Sequence, residues 1–304
     1  MSVQCPLCAV ELSVPGHRGV ADFEHGLPVT TDFASCPSCG LMAQDPTPSS
    51  SELAGYYPSD YRPHAVVGAS GRAGIVASLK AVQGTMMVAT LRKHLPSKAT
   101  PILELGCGAG HFLRALARAG YEQLVGVDRD PAPTRFAGTG IEYRAIDLDK
   151  SVELGGPWGA IVMNYVVEHF EDPERVLRAC RAALAPGGKV IALTPNTSSW
   201  SHRIFGRYWS GLHAPRHTQL FNPVALEKLA KKVGFTRCEL FTPSDPASWA
   251  LSLQNLVEDR LRDREAPHAG TAWYSLALMP AFYPVAVIEK LAGRGSGIFA
   301  VMSG

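Results

Sequence analysis

The sequence lacks a basic start followed by an apolar run. It opens Met-Ser-Val-Gln-Cys, which offers no secretory signal, so a cytoplasmic chain is expected. A long apolar run is also missing. The most apolar uncharged stretch, Ala272 to Ile288, is interrupted by Pro280 and Pro284 and falls short of the roughly 20 apolar residues of a spanning helix. No transmembrane helix is expected, while contact with a membrane surface stays open. Charge of one sign is not in excess: 29 Lys and Arg stand against 27 Asp and Glu, a net charge of +2. The dense basic surface of long nucleic-acid contacts is absent, and no nucleic-acid partner is expected. There is no internal repeat and no low-complexity tract, and 46% hydrophobic residues in 304 suffice for a buried core.

Seven cysteines are present, an odd number that argues against a disulfide framework. Cys107, Cys180 and Cys238 are scattered, but Cys5-Pro-Leu-Cys8 and Cys36-Pro-Ser-Cys39-Gly form two Cys-x-x-Cys turns. Four thiolates are the right number and type for a closed tetrahedral zinc site. Such a site is structural and supplies folding energy to a segment too small for a core, so neither His17 nor His25 is needed as a ligand.

Three units follow from composition. Residues 1–45 are a loop-rich zinc-binding module that exits at Asp45-Pro-Thr-Pro-Ser-Ser-Ser. Residues 46–100 carry the tyrosine-rich stretch Gly55-Tyr-Tyr-Pro-Ser-Asp-Tyr61 and a helical pattern from about Ala73 to Leu95. Residues 101–304 form the main domain. There, short apolar runs (Ile102 to Leu105, Leu124 to Val127, Ile141 to Tyr143, Ala160 to Met163, Val190 to Leu193) alternate with amphipathic stretches at Phe112 to Ala119 and Pro173 to Leu184. This alternation predicts an α/β fold with a doubly wound, mostly parallel sheet. A helix at Pro223 to Val233, a strand at Arg237 to Phe241 and a final strand at Ile298 to Met302 complete it. Two insertions interrupt the pattern: 197–222, read as a loop, and 243–294, read as two helices rich in Trp249, Trp273, Tyr274, Phe282 and Tyr283.

Glu104-Leu-Gly106-Cys-Gly108-Ala-Gly110-His places three alternating glycines between a strand and a helix. Glycines there permit a tight turn and close approach of backbone to a ligand. Asp128 ends the next strand, where a carboxylate can accept both ribose hydroxyls of an adenosine ligand. The dinucleotide fingerprint needs a third glycine where His111 stands.

These residues resemble the first motif of the class I S-adenosylmethionine-dependent methyltransferases, and further motifs occur in order from Pro101 to Gly304. The resemblance implies a seven-stranded Rossmann-like sheet whose last strand runs antiparallel between the fifth and sixth. It implies S-adenosylmethionine as cofactor, held by Glu104, Gly106, Gly108, Gly110 and Asp128, with Asp147 reading the adenine amino group, Leu148 beside the ring, and Asn164 lining the methyl-donor pocket. Leu-Ala-Pro-Gly187-Gly188 matches the turn before the fifth strand. The N-terminal layout resembles that of some sugar C-methyltransferases, which are longer. In the similar ubiquinone-pathway O-methyltransferases, the fourth-strand motif Glu-x-x-Glu-His can hold a divalent ion. Tyr165 replaces its first Glu here.

Methyl transfer to a hydroxyl or carbon acid needs a base, and histidine suits neutral pH. His169, which follows Glu168 at the end of the fourth strand, is the first candidate; His213 and His217 in the first insertion are the others. Tyr57, Tyr61, Tyr208 and Trp209 are candidate substrate contacts, with Arg216 for a carboxylate or phosphate. The expected function is methylation of a small molecule such as a sugar, lipid or secondary metabolite at oxygen or carbon. An RNA methyltransferase and a non-catalytic cofactor-binding relative are the alternatives; oligomeric state is not legible.

Overall fold

The computed structural model describes residues 3–57, 72–95, 97–130, 133–261 and 273–304. Tyr61 lies outside the described residues. Five short strands, β1 (Val14–Pro15), β2 (Val20–Ala21), β3 (Thr30–Thr31), β4 (Phe33–Ser35) and β5 (Met42–Gln44), span the segment with the cysteine turns. Helix α1 (Ser50–Gly55) is opened by a capping box in which Ser49 and Glu52 satisfy each other's backbone N–H groups. Helix α2 (Arg72–Leu91) and a short 3-10 turn through His94 lead into the main domain.

That domain runs β6 (Ile102–Leu105), α3 (His111–Arg118), β7 (Leu124–Asp128), β8 (Glu142–Ala145), β9 (Trp158–Asn164), α4 (Pro173–Ala182) and β10 (Leu184–Pro195). After it come α5 (Trp200–Phe205), β11 (Gln219–Leu220), α6 (Pro223–Val233), β12 (Arg237–Phe241), α7 (Pro246–Leu261), α8 (Trp273–Leu291) and β13 (Gly297–Ser303). Seven of the strands form one sheet in the order β12-β13-β10-β9-β6-β7-β8. Strand β13 is antiparallel to both β10 and β12, and the other pairings are parallel, as the family resemblance implied.

Period-two alternation sorts the strands' side chains between two apolar layers. Ile102 and Val162 join Phe112, Leu113 and Leu116 of α3, whereas Leu103, Leu105 and Ile161 join Val176 and Leu177 of α4 and Leu226 and Leu229 of α6. Each of these residues is at most 3% exposed, so each buried leucine contributes about 1.5–3 kcal/mol of transfer free energy. The helices start where their caps lie. Asp172 accepts from Arg175 N ahead of Pro173, and Asn222 accepts from Ala225 N ahead of Pro223.

Some expected bounds shift. Helix α4 stops at Ala182 because Leu184 already pairs with Trp158, and the register break between Leu184 and Lys189 absorbs Pro186-Gly187-Gly188. The first insertion is not a plain loop. It holds α5, two 3-10 turns and β11, which pairs antiparallel with β5 of the N-terminal segment through Gln219↔Ala43 and Leu220↔Met42. A two-residue strand has no sequence period to reveal it; buried backbone in need of partners creates it. The second insertion forms the helix pair α7 and α8, with Trp249 stacked on Phe282. Among the described residues, no helix is long and apolar enough to cross a membrane.

Candidate active site

The turn from β6 into α3 puts Gly106, Gly108 and Gly110 at φ values of 66°, 52° and 71°, in the left-handed region that glycine alone enters without strain. Space also demands glycine: a Cβ would lie 2.5 Å from Val166 at position 106 and 2.3 Å from Phe136 at position 110. The loop's shape is held by Gly108 N, which donates to Asp128 Oδ2 at 2.8 Å. Beside it, Glu104 is 3% exposed, and its Oε2 has no hydrogen-bond partner. Burial, reinforced by nearby Asp128, holds the Glu104 carboxyl well above the usual range. A buried carboxylate oxygen without a donor is what an ammonium group of a ligand would satisfy.

These groups line a cavity of about 780 Å³ at the carboxyl ends of the parallel strands. Glu104, Gly106, Gly108, Asp128, Asp147, Leu148 and Asn164 all reach its wall. Gly110 does not; it caps α3 from behind. The same wall includes His169, His213 and His217, so one chamber joins the glycine loop to all three candidate bases.

The three imidazoles meet edge to face, with ring centroids 4.5 Å apart for His169 and His217, 4.7 Å for His213 and His217, and 5.9 Å for His169 and His213. Their ligand atoms lie within 4.8 Å of one another, a spacing that suits proton exchange and is also compatible with a divalent ion. His217 Nδ1 donates to Gly211 O at 2.9 Å, which turns Nε2 toward His213 Nδ1 at 3.2 Å. His213 Nε2 pairs with the Glu24 carboxylate. His169 Nδ1 meets Tyr57 OH at 3.0 Å, and the Tyr57 ring lies under Arg129. Burial, then the neighbouring His213, pushes His169 down to about 3; burial and the other two rings hold His217 well below its ordinary value. Both rings are therefore neutral at pH 7. Burial pushes the Glu168 carboxyl up to about 8; its Oε2 accepts from Thr194 Oγ1 at 2.9 Å, and its Oε1 lies 3.7 Å from His217 Nε2. Two non-glycine residues on this wall, Tyr165 and His213, sit at φ 56° and 38°, so backbone strain concentrates at the chamber.

The loop carrying His213 and His217 is gripped by the N-terminal segment. Arg216 is fully buried and makes a bidentate ion pair with Asp22 at 2.8–3.0 Å, with a further bond to Tyr56 O. Its guanidinium is thus committed, and Arg216 is not among the chamber's lining residues, contrary to the expectation of an anion-binding role. Tyr208 also turns away, donating to Asp259 at 2.8 Å, whereas Tyr57 and Trp209 reach the wall. Gln44 Nε2 donates to Pro215 O and His217 O at 2.7 and 2.8 Å. Sequence reading missed Asp22, Glu24 and Gln44; the only signal was the acidic pair Asp22 and Glu24 between the cysteine turns.

The cysteines converge as well. The Sγ atoms of Cys5, Cys8, Cys36 and Cys39 lie within 4.8 Å of one another, with Cys5 and Cys39 3.7 Å apart. Zn–S bonds of about 2.3 Å in a tetrahedron put sulfurs about 3.8 Å apart, so the four thiols fit the metal. Lys228 Nζ of α6 lies 2.9 Å from Cys8 Sγ, and Asn222 Nδ2 donates to Cys39 O at 3.1 Å, which ties this site to the main domain.

Comparison with known proteins bears on the family. A family model described as a methyltransferase domain matches residues 83–240. A ubiquinone biosynthesis O-methyltransferase of Cereibacter sphaeroides is 31% identical over 179 residues, covering 53% of this chain and 72% of that protein. One from Methylobacterium nodulans is 31% identical over 160 residues, covering 48% and 63%. A methyltransferase structure from Archaeoglobus fulgidus aligns over 73% of this chain and 94% of its own, at 16% identity and a TM-score of 0.47. With the glycine loop, the ordered acids and the strand order in place, the chain belongs to the class I S-adenosylmethionine-dependent methyltransferases.

Proposed function

We propose that the chain methylates an oxygen of a hydroxylated small molecule, with the acceptor lodged between the cofactor residues and the three histidines. The observation that carries this is the single chamber lined by both sets. The relatives named as ubiquinone biosynthesis O-methyltransferases support oxygen over carbon as the acceptor atom and a small molecule over RNA.

S-adenosylmethionine would be held by Asp128 at the ribose, Asp147 and Leu148 at the adenine, and Glu104 toward the amino-acid tail, and it supplies an electrophilic methyl group. His169 takes the acceptor's proton. Burial keeps the ring neutral, the form that can accept, but also weakens it as a base, so its contribution rests on its position beside the acceptor, where Tyr57 meets Nδ1. His217 and His213 complete the wall that orients the acceptor, so proximity and alignment contribute much of the rate. Cys5, Cys8, Cys36 and Cys39 would hold a structural zinc, which would stiffen the segment that carries Asp22, Glu24 and Gln44 beside this wall. Replacing His169 and His217 separately by Ala and following a single turnover with a hydroxylated aromatic acceptor tests the assignment. A slow His169→Ala enzyme with unchanged affinity for S-adenosylhomocysteine is expected; full rates in both variants would overturn it.

A further inference from the structure

We propose that the acceptor carries a short apolar arm, and that this arm is received in a second cavity between the N-terminal segment and α7. This rests on the main chamber being the acceptor site. The second cavity, of about 120 Å³, has Val20, Ala21, Leu212, Ala214, Leu251 and Trp209 on its walls. Val20, Trp209, Leu212 and Ala214 are all 3% exposed or less. Glu24, Trp209, Ser210, His213 and Leu251 belong to both cavities, so the two adjoin along residues from three separate segments.

Polar groups at this wall are already engaged. Gln254 Oε1 accepts from Ser275, its amide nitrogen donates to Glu258, and Asn255 Nδ2 donates to Tyr208 O. Of the other polar side chains on these walls, Glu24 and His213 pair with each other and Ser210 Oγ donates to Ser248 O, so a water entering here would compete for partners that are already engaged. The volume is that of about four liquid waters, the size of a four- or five-carbon group. One donor is left over: Trp209 Nε1 is buried without a hydrogen-bond partner. The indole is seated against Gly211, where a Cβ would come within 2.3 Å of the ring, and Gly211 O orients His217. An ether or carbonyl oxygen in the arm would meet that N–H. Arm recognition and acceptor orientation are therefore built on one short segment.

The test is calorimetric titration of the full chain, loaded with S-adenosylhomocysteine, with 4-alkylcatechols from methyl to octyl. Affinity should rise about fourfold for each methylene that is fully buried, up to butyl or isopentyl, and fall beyond it. Ala21→Phe, which fills only the second cavity, should remove that gain and leave S-adenosylhomocysteine affinity unchanged. A flat series, or one that keeps rising to octyl, overturns the proposal. So does equal weakening of the methyl and butyl compounds by Ala21→Phe. Butylbenzene, which has no hydroxyl, probes the cavity independently of the acceptor class. Its failure to bind wild-type protein sinks the arm site, whereas its binding without any catechol methylation sinks the acceptor reading alone.

Discussion

The two halves of the chamber are built in opposite ways. The cofactor half comes from contiguous motifs at successive strand ends, Glu104 to Gly110, Asp128, Asp147 and Asn164, each fixed by local geometry. The histidine half is assembled from segments far apart in the chain: Asp22, Glu24 and Gln44, Tyr57, Glu168 and His169, and Trp209 to His217. The glycine loop and its acids thus sit within the family core, while the histidine wall is held by long-range ion pairs and hydrogen bonds.

Substitutions can break this contrast. The largest effect is expected from His169→Ala, a loss of about 10²–10⁴ in single-turnover rate with S-adenosylhomocysteine affinity unchanged. Asp22→Ala leaves a fully buried Arg216 guanidinium without its partner, so chemical denaturation should show a loss of about 3–5 kcal/mol. Acceptor turnover should fall in step, and cofactor binding at temperatures where the variant stays folded should not. Asp128→Ala acts on the other half. It removes the acceptor of the Gly108 N–H bond and the carboxylate proposed to meet the ribose, and titration should show S-adenosylhomocysteine affinity weakened by about tenfold to a hundredfold. The smallest effect concerns pH. Because His169 is held at about 3, its base form is fully populated at pH 5, where an ordinary histidine would be mostly protonated. The single-turnover rate should stay level within twofold from pH 5 to 7; a drop centred near 6.5 would show that the ring is solvated and that the wall does not close.

Legibility followed the same division. The strand sequence, the glycine loop and both cysteine turns were readable because hydrophobic period, turn chemistry and short spacings are local, whereas the antiparallel last strand followed only from the family resemblance. His169, His213 and His217 were readable as residue types that suit the chemistry, but not as a cluster. Arg216 was misread as a substrate contact since nothing near it announces Asp22, 194 residues away. Tyr208 was misplaced for a similar reason, its hydroxyl being claimed by Asp259 of α7. The two-residue strand β11 carried no period at all.

By itself the sequence determined the four thiols through two short turns, and the methyltransferase core and methyl donor through short motifs whose order resembles a known family, since each motif is local. Only the tertiary structure decided that the N-terminal segment backs the wall that carries the three histidines. Its Asp22, Glu24 and Gln44 act on 213–217 through contacts that exist only after β5 and β11 pair, and no local pattern encodes a contact across nearly 200 residues.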